Sequence, residues 1–268
     1  EDNKAFLTGR ETSLFVSPLD FEEFKLFHSN EDILRDYLYY GGYPEYVLEK
    51  EPNYLNELVR DIIEKDIVKV HKVKNNQYLF DLCQILAKQV GYKSSANKVA
   101  NVLSLDNKTV ENYILYLKEV KLIESIYQYS QSLNKKLYSP KKYYFNDLGM
   151  RNSFVGFSDI GSLVENAIFI RLAKKYGVSN ICYLSDAREN EVDFVVTLKS
   201  DEVILVESKY NNLQHAVINS LSPAFYDQIL HKKIVNRIVV TDGVDHSYTH
   251  HNLPIQLISL KNFLSGGI

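Results

Sequence analysis

Hydrophobic positions repeat along this chain with two periods, and the switches between them outline its parts. From residue 77, QYLFDLCQILAKQV places apolar side chains at Leu79, Phe80, Leu82, Ile85, Leu86 and Val90, a helical stripe that stops at Gly91. SANKVANVL (Ser95 to Leu103) predicts a second, shorter helix. Asp106 or Asn107 is placed to cap a third, NKTVENYILYLKEVKLI, which buries Val110, Ile114, Leu117 and Val120. The period then falls to two: ESIYQYS and KLYSPKKYYF alternate, with polar SQSLNKK between them. Three helices followed by a hairpin predict a winged helix-turn-helix over residues 77–156.

The part after it, residues 157–268, opens with SLVENAIFIRLAKKY (Ser162 to Tyr176). Leu163, Ala167, Ile168, Ile170, Leu172 and Ala173 suit a mostly buried helix with Glu165 in its first turn. Two β-branched runs follow, EVDFVV (Glu191 to Val196) and VILVESKY (Val203 to Tyr210). The turn-like Lys199-Ser200-Asp201-Glu202 between them predicts one hairpin. A helical stretch near Pro223 to Leu230 and a strand from Asn236 to Thr241 complete this part. Residues 1–76 are less regular. Ala5 to Arg10 reads as the end of a strand turning at Gly9, and SPLDFEEFKLF as a loop leading into an amphipathic helix. ILRDYLYYG and YLNELVRDIIEKDIVKV read as helices broken at GGYP. This segment shows no core of its own.

Strand alternation puts Glu207 and Lys209 on one face, with Ser208 on the other, and Asp193 is expected to meet them across the ladder. Two carboxylates held together repel each other unless a cation separates them, and a hard ion such as Mg2+ or Mn2+ suits oxygen donors. The Lys209 ammonium is then placed to orient or deprotonate a water. A helix with Glu165, a strand with Asp193 and a strand with Glu207-x-Lys209, in that order, resembles the PD-(D/E)XK nuclease superfamily. The resemblance implies a mixed α/β, restriction-endonuclease-like domain that hydrolyses phosphodiesters with Mg2+ or Mn2+. Asp193 and Glu207 would be metal ligands, Lys209 the water-orienting group and Glu165 a supporting acid. Val192 stands where the superfamily's name has proline. The same residues also have an ordinary reading: an Asp at a strand start is often a turn residue, and Glu-x-Lys a solvated pair.

Charge is unevenly divided. Residues 1–76 carry 10 Lys+Arg against 16 Asp+Glu, residues 77–150 carry 10 against 6, and residues 151–268 carry 11 against 12. Affinity for a polyanion is therefore expected in the middle segment, with DNA as the expected partner. In a winged helix the third helix enters the major groove and the wing touches phosphates. Candidate contacts are Asn107, Lys108, Thr109, Asn112 and Tyr116 on that helix, and Lys135, Lys136, Lys141 and Lys142 on the wing. Glu111 and Glu119 lie on the same helix, which leaves a protein-joining role open. Hydrophobic and charged shares of 45% and 24% are those of an ordinary globular protein. No window approaches the roughly 18 apolar residues that span a membrane, and no secretory signal opens the chain, so no membrane partner and a cytoplasmic location are expected. Cys83 and Cys182 read as buried thiols, and His246, His250 and His251 as a loop between strands rather than a metal site.

LTG (Leu7 to Gly9), PLDFEEF, GGYP and a helix bearing RDIIEKDI look like the tail of the ATPase module in a large bacterial and archaeal AAA-type ATPase family. In that family a winged helix and a nuclease-like domain of unknown function follow. The resemblance makes Thr8 a remnant of the nucleotide-sensing strand and an N-terminal ATPase module the missing partner; it leaves a homo-oligomer open, since the surfaces that form rings in such ATPases are mostly absent here. No glycine here fits the P-loop spacing GxxxxGK[ST], so ATP is expected to be used only by the intact parent. Arg10 and Arg60 read as surface or paired arginines. The chain starts at Glu1 and has one methionine, Met150, which reads as a fragment. Two functions stay open: a metal-dependent nuclease targeted by its winged helix, and a catalytically silent nucleic-acid-binding or protein-assembly module.

Overall fold

The computed structural model describes residues 16–28, 30–51, 53–186, 190–198, 201–210, 231–243, 245–250 and 253–266. Asp20 caps α1 (Phe21–Phe24) in a reciprocal box with Glu23, each side chain accepting the other's amide at 2.9 Å. Helix α2 (Ile33–Tyr40) ends at Gly41, whose φ of 72° suits glycine, and Pro44 opens α3 (Pro44–Glu49). The double glycine does more than break the helix. At Gly42 a Cβ would lie 2.0 Å from the Leu19 carbonyl oxygen, and its amide donates to Asp147 at 2.6 Å. Only glycine lets the chain pass so close. Helix α4 (Tyr54–Asp61) runs through a π-helical stretch, Ile62–Val68, into α5 (Lys69–His71). These helices have no separate core: Phe21, Phe24, Tyr37, Ile63 and Ile67 join one hydrophobic cluster that extends to Leu264.

The middle segment follows its periodicity closely. Helix α6 (Gln77–Lys88) leads to the short β1 (Lys93–Ser94). Ser95 caps α7 (Ala96–Leu103) and Asp106 caps α8 (Asn107–Glu119), each side chain accepting an amide three residues on. Strands β2 (Ile123–Gln128) and β3 (Lys141–Phe145) pair antiparallel. The stretch before Pro140 departs from the expected alternation: Leu133–Tyr138 is a helix, α9. Ser132 caps it, and Leu, Asn, Lys, Lys and Leu in succession favour a helical turn over a strand until proline stops it. Asp147 then caps α10 (Leu148–Val155), accepting from Met150 at 2.8 Å. Burial pushes this carboxyl up to about 6.

Helix α11 (Ile160–Tyr176) packs its Leu163, Val164, Ala167, Ile168, Phe169 and Leu172 wholly out of solvent. The strands that follow are β4 (Ile181–Ser185), β5 (Glu191–Thr197), β6 (Glu202–Ser208), β7 (Lys233–Thr241), β8 (His246–His250) and β9 (Leu253–Ser259), and α12 (Leu260–Leu264) closes the described fold. All nine described strands form one mixed sheet in the order β1-β3-β2-β4-β5-β6-β7-β9-β8, so the fold is mixed α/β. The two halves meet where β2 runs parallel to β4, pairing Tyr127 with Cys182 and Gln128 with Tyr183. Asn166 adds a second tie. From the buried face of α11 its amide group both accepts from the Phe145 amide, at 2.9 Å, and donates to the Phe145 carbonyl, at 2.8 Å.

His246 to His250 form strand β8, paired to β9, where a loop was expected. Cys83 and Cys182 are free thiols, Cys83 wholly buried and Cys182 partly so. Thr8, Arg10, His251 and the stretch from Pro223 to Leu230 lie outside the described residues. Among those described, no helix is long and apolar enough to cross a membrane.

Candidate functional site

Asp159 caps α11, its carboxylate accepting from the Ser162 amide and hydroxyl, so the helix begins at Ile160. Glu165 therefore sits in the second turn rather than the first. It faces β3, whose alternation brings Lys142 and Tyr144 to the same side. Tyr144 stacks on Phe169 with ring centroids 4.4 Å apart, and its hydroxyl donates to Glu165 Oε1 at 2.8 Å. Lys142 Nζ reaches the same oxygen at 3.1 Å. Gly91, at φ +80°, closes on the carboxylate from the other side: a Cβ there would lie 2.6 Å from Oε2.

Lys142 is the centre of the site. It is 1% exposed, and its ammonium meets Glu191 Oε1 at 2.5 Å and Asp193 Oδ1 at 3.2 Å as well as Glu165. This corrects its expected place on an exposed wing facing phosphates. The cue lies in KKYYF, where a lysine alternates with a tyrosine on a strand otherwise built for burial. Lys93, from β1, takes the other oxygen of Glu191 at 3.2 Å. Neither Glu191 nor Lys93 stood out in the sequence, although Glu191 lies two residues before Asp193 on the same strand.

Asp193 does join Glu165 in one cleft of about 330 Å³, which Ser208 and Lys209 also line. Glu207 does not line it. The register between β4 and β5 shifts between Cys182 and Leu184, and this bulge breaks the alternation of β5. Val192 and Val195 fall in one apolar cluster, while Phe194 and Val196 fall in the other. Asp193 is thereby turned toward Lys142 and the Glu165 side of the sheet, and its Oδ2 accepts from the Ser208 amide at the end of β6 at 2.9 Å. Glu207, 1% exposed, keeps the parity of Val203 and Leu205, and its Oε2 lies 2.8 Å from Lys209 Nζ. The register that pairs Phe194 with Val206 carries on to Asp193 and Glu207, and Lys209, paired with Glu207, acts on Asp193 through its charge.

The electrostatics follow from burial and these pairs. Burial pushes Glu165 up to about 7, against the pull of Lys142. Burial also opposes charge on Asp193, yet Lys142, Lys209 and the Ser208 amide hold its carboxyl below the ordinary range. For Lys142 burial works against the ammonium, and Glu165, with Tyr144, Asp193 and Glu191, holds its pKa well above that of a free lysine. Lys209 is raised likewise, with Glu207 the main source. A divalent ion does not fit this arrangement. Mg2+ needs oxygen ligands at about 2.1 Å in near-octahedral order. Here the space between Glu165 and Asp193 holds an ammonium nitrogen at hydrogen-bond length from both. Among the described residues no group of three or more His, Cys, Asp or Glu side chains converges as a metal site.

Of the expected nucleic-acid contacts, Asn107, Lys108, Asn112 and Lys141 share one groove, while Thr109, Tyr116, Lys135 and Lys136 lie outside its lining. Lys108 is exposed and 3.9 Å from Glu111. The Thr109 hydroxyl donates to Asp106 at 2.5 Å as part of the cap of α8, which engages it away from base edges. Asn107 donates to Glu111 at 2.8 Å, and Tyr116 stacks on His71. Lys135 and Lys136 are exposed on α9, and Lys136 and Lys141 both lie over the Tyr127 ring, at 5.5 and 4.9 Å. Asn112, Lys108 and Lys141 line a groove of about 470 Å³ between α8 and the end of α9. Leu115, Leu137 and Tyr138 stand exposed along it.

Residues 31–160 match a family described as a domain of unknown function, DUF8612, and residues 160–262 match another so described, DUF4143. An uncharacterized protein of Haemophilus influenzae is 28% identical over 220 residues, covering 75% of this chain and 54% of its own length. An uncharacterized protein of Methanocaldococcus jannaschii is 27% identical over 193 residues, covering 66% of this chain and 40% of its own. The chain thus spans about half the length of these relatives or less. A chain from the tetradecameric assembly of Thermococcus gammatolerans McrB AAA+ hexamers with bound McrC aligns at TM-score 0.30 and 13% identity, over 69% of this chain and 50% of that one. That likeness is too slight to reason from. The cleft described above straddles the two matched segments: Lys93 and Lys142 come from the first, and Glu165, Glu191, Asp193 and Lys209 from the second.

Proposed function

We propose that this chain is the binding and assembly part of an AAA-type ATPase, built from a winged helix and a nuclease-like domain that does not cut nucleic acid. One observation carries the reading: the Lys142 ammonium lies among Glu165, Glu191 and Asp193, where a hydrolytic centre would need its divalent ion. Glu207, the second expected ligand, is outside the cleft. Hydrolysis by this superfamily's chemistry requires a metal-activated water, and a fixed ammonium cannot supply one. The fold then serves to carry the α8 and α9 face, where Lys108, Lys135, Lys136 and Lys141 offer positive charge and Asn112 an amide. Phosphate contacts of this type give affinity without sequence choice. The ATPase connection is supported by the LTG, PLDFEEF and GGYP succession and by relatives about twice as long as the matched region.

The test is incubation of supercoiled, linear, single-stranded and branched DNA with the chain in Mg2+ and in Mn2+, beside Glu207→Ala. The expected result is binding without cutting. Metal-dependent cleavage by the wild type that Glu207→Ala abolishes would overturn the reading in favour of a nuclease. The specific observation on that side is that Asp193, Glu165 and Lys209 do share one open cleft.

A further inference from the structure

We infer that Lys142 is a resident cation, which excludes divalent metal from the cleft and at the same time joins the two matched segments of the chain. The inference deepens the non-hydrolytic reading and rests on it. Three carboxylates from two elements, Glu165 on α11 and Glu191 and Asp193 on β5, converge on one nitrogen at 2.5 to 3.2 Å. Surface lysines do not make such a set, because a solvated ammonium gains little from each additional partner. Here the nitrogen is 1% exposed and enters from β3, an element of the other segment. Its Nζ also lies over the Tyr183 ring of β4, 5.8 Å from the centroid.

The charge balance explains why a cation is needed at all. Among the described residues of the cleft, Glu165, Glu191 and Asp193 face Lys142, Lys93 and Lys209, and withdrawal of Lys142 would leave three acids to two ammoniums, of which Lys209 is also paired to Glu207. Hard oxygen donors around a vacated positive position are what Mn2+ or Mg2+ takes. Lys142 and a divalent ion are therefore mutually exclusive occupants, and the sequence has fixed the first of them by covalent attachment.

The experiment is Mn2+ titration of the full chain, followed by electron paramagnetic resonance and by thermal unfolding. The proteins are the wild type, Lys142→Met, Lys142→Ala and the double variant Lys142→Met/Asp193→Asn. Methionine keeps most of the stem and removes the charge. The expected result is one Mn2+ bound by Lys142→Met on the order of 100-fold more tightly than by the wild type. The double variant should lose most of that gain, and Mn2+ should raise the unfolding temperature of Lys142→Met but not of the wild type. Equal Mn2+ affinity in wild type and single variants would overturn the inference, as would folded single variants that bind none. Should neither single variant fold in metal-free buffer, Mn2+ must restore the fold, and its failure to do so would overturn the inference too. Cleavage of DNA by the wild type is a separate outcome, which sinks the proposed function.

Discussion

Replacing Lys142 with methionine removes one charge and almost no volume, so its cost measures the buried ion cluster directly. The ammonium is held by carboxylates at 2.5, 3.1 and 3.2 Å and is 1% exposed. Breaking a buried pair from one side costs about 3–5 kcal/mol, because the partners stay buried without compensation. For a chain of this size that is a fall of roughly 10 °C in Tm. The cost must also depend on pH. Glu165 is raised from an ordinary 4.5 to about 7, so its burial is free of charge in acid, and about 3 kcal/mol of stability is lost as pH climbs through that window. Without Lys142 Glu165 moves further up and Asp193 rises from its lowered position, and a group raised in the folded state is least costly below its unfolded pKa. Lys142→Met should therefore lose less at pH 5.5 than at pH 8, by at least about 1 kcal/mol. Urea unfolding followed by circular dichroism at the two pH values decides it. A variant within about 1 kcal/mol of wild type at pH 8, or an equal cost at both pH values, would refute the reasoning.

Other substitutions probe the same frame. Gly91→Ala forces a Cβ to 2.6 Å from Glu165 at a φ of +80°, and should cost about 2–3 kcal/mol in urea unfolding. Asn166→Leu strands the buried amide and carbonyl of Phe145, and a loss of about 2–4 kcal/mol is expected in the same assay. Glu165→Gln removes the group that titrates near 7, so the decline of wild-type stability between pH 4.5 and 7 should flatten. Lys135→Ala/Lys136→Ala should weaken DNA binding in fluorescence anisotropy and lower the slope of log affinity against log salt by about 2. An unchanged slope would place the nucleic-acid face elsewhere.

Local patterns carried most of the fold. The cap Asp106 and the stripes of α6 and α8 depend only on near neighbours in sequence, and all are present. The candidate site was harder to read because its geometry depends on contacts that no local pattern encodes. The register does bring Asp193 opposite Glu207, but a bulge set by pairing with β4 turned its side chain toward Lys142. Lys142 looked like one more wing lysine, since nothing near it in sequence announces three acids between 23 and 51 residues further on. The same holds for Gly42, which read as a helix breaker until Leu19 and Asp147 were seen to crowd it.

The join between β2 and β4 has a mechanical meaning. It rests on two register pairs, where β6 and β7 share seven. A load drawn across the sheet concentrates on that short seam, and backbone bonding alone would make it the line of rupture. Lys142 and Asn166 fasten the same two halves from above, through side chains that do not lie in the ladder. The seam is thus crossed by two independent kinds of tie, a short backbone ladder and a set of buried side chains, and parting the halves requires both to break.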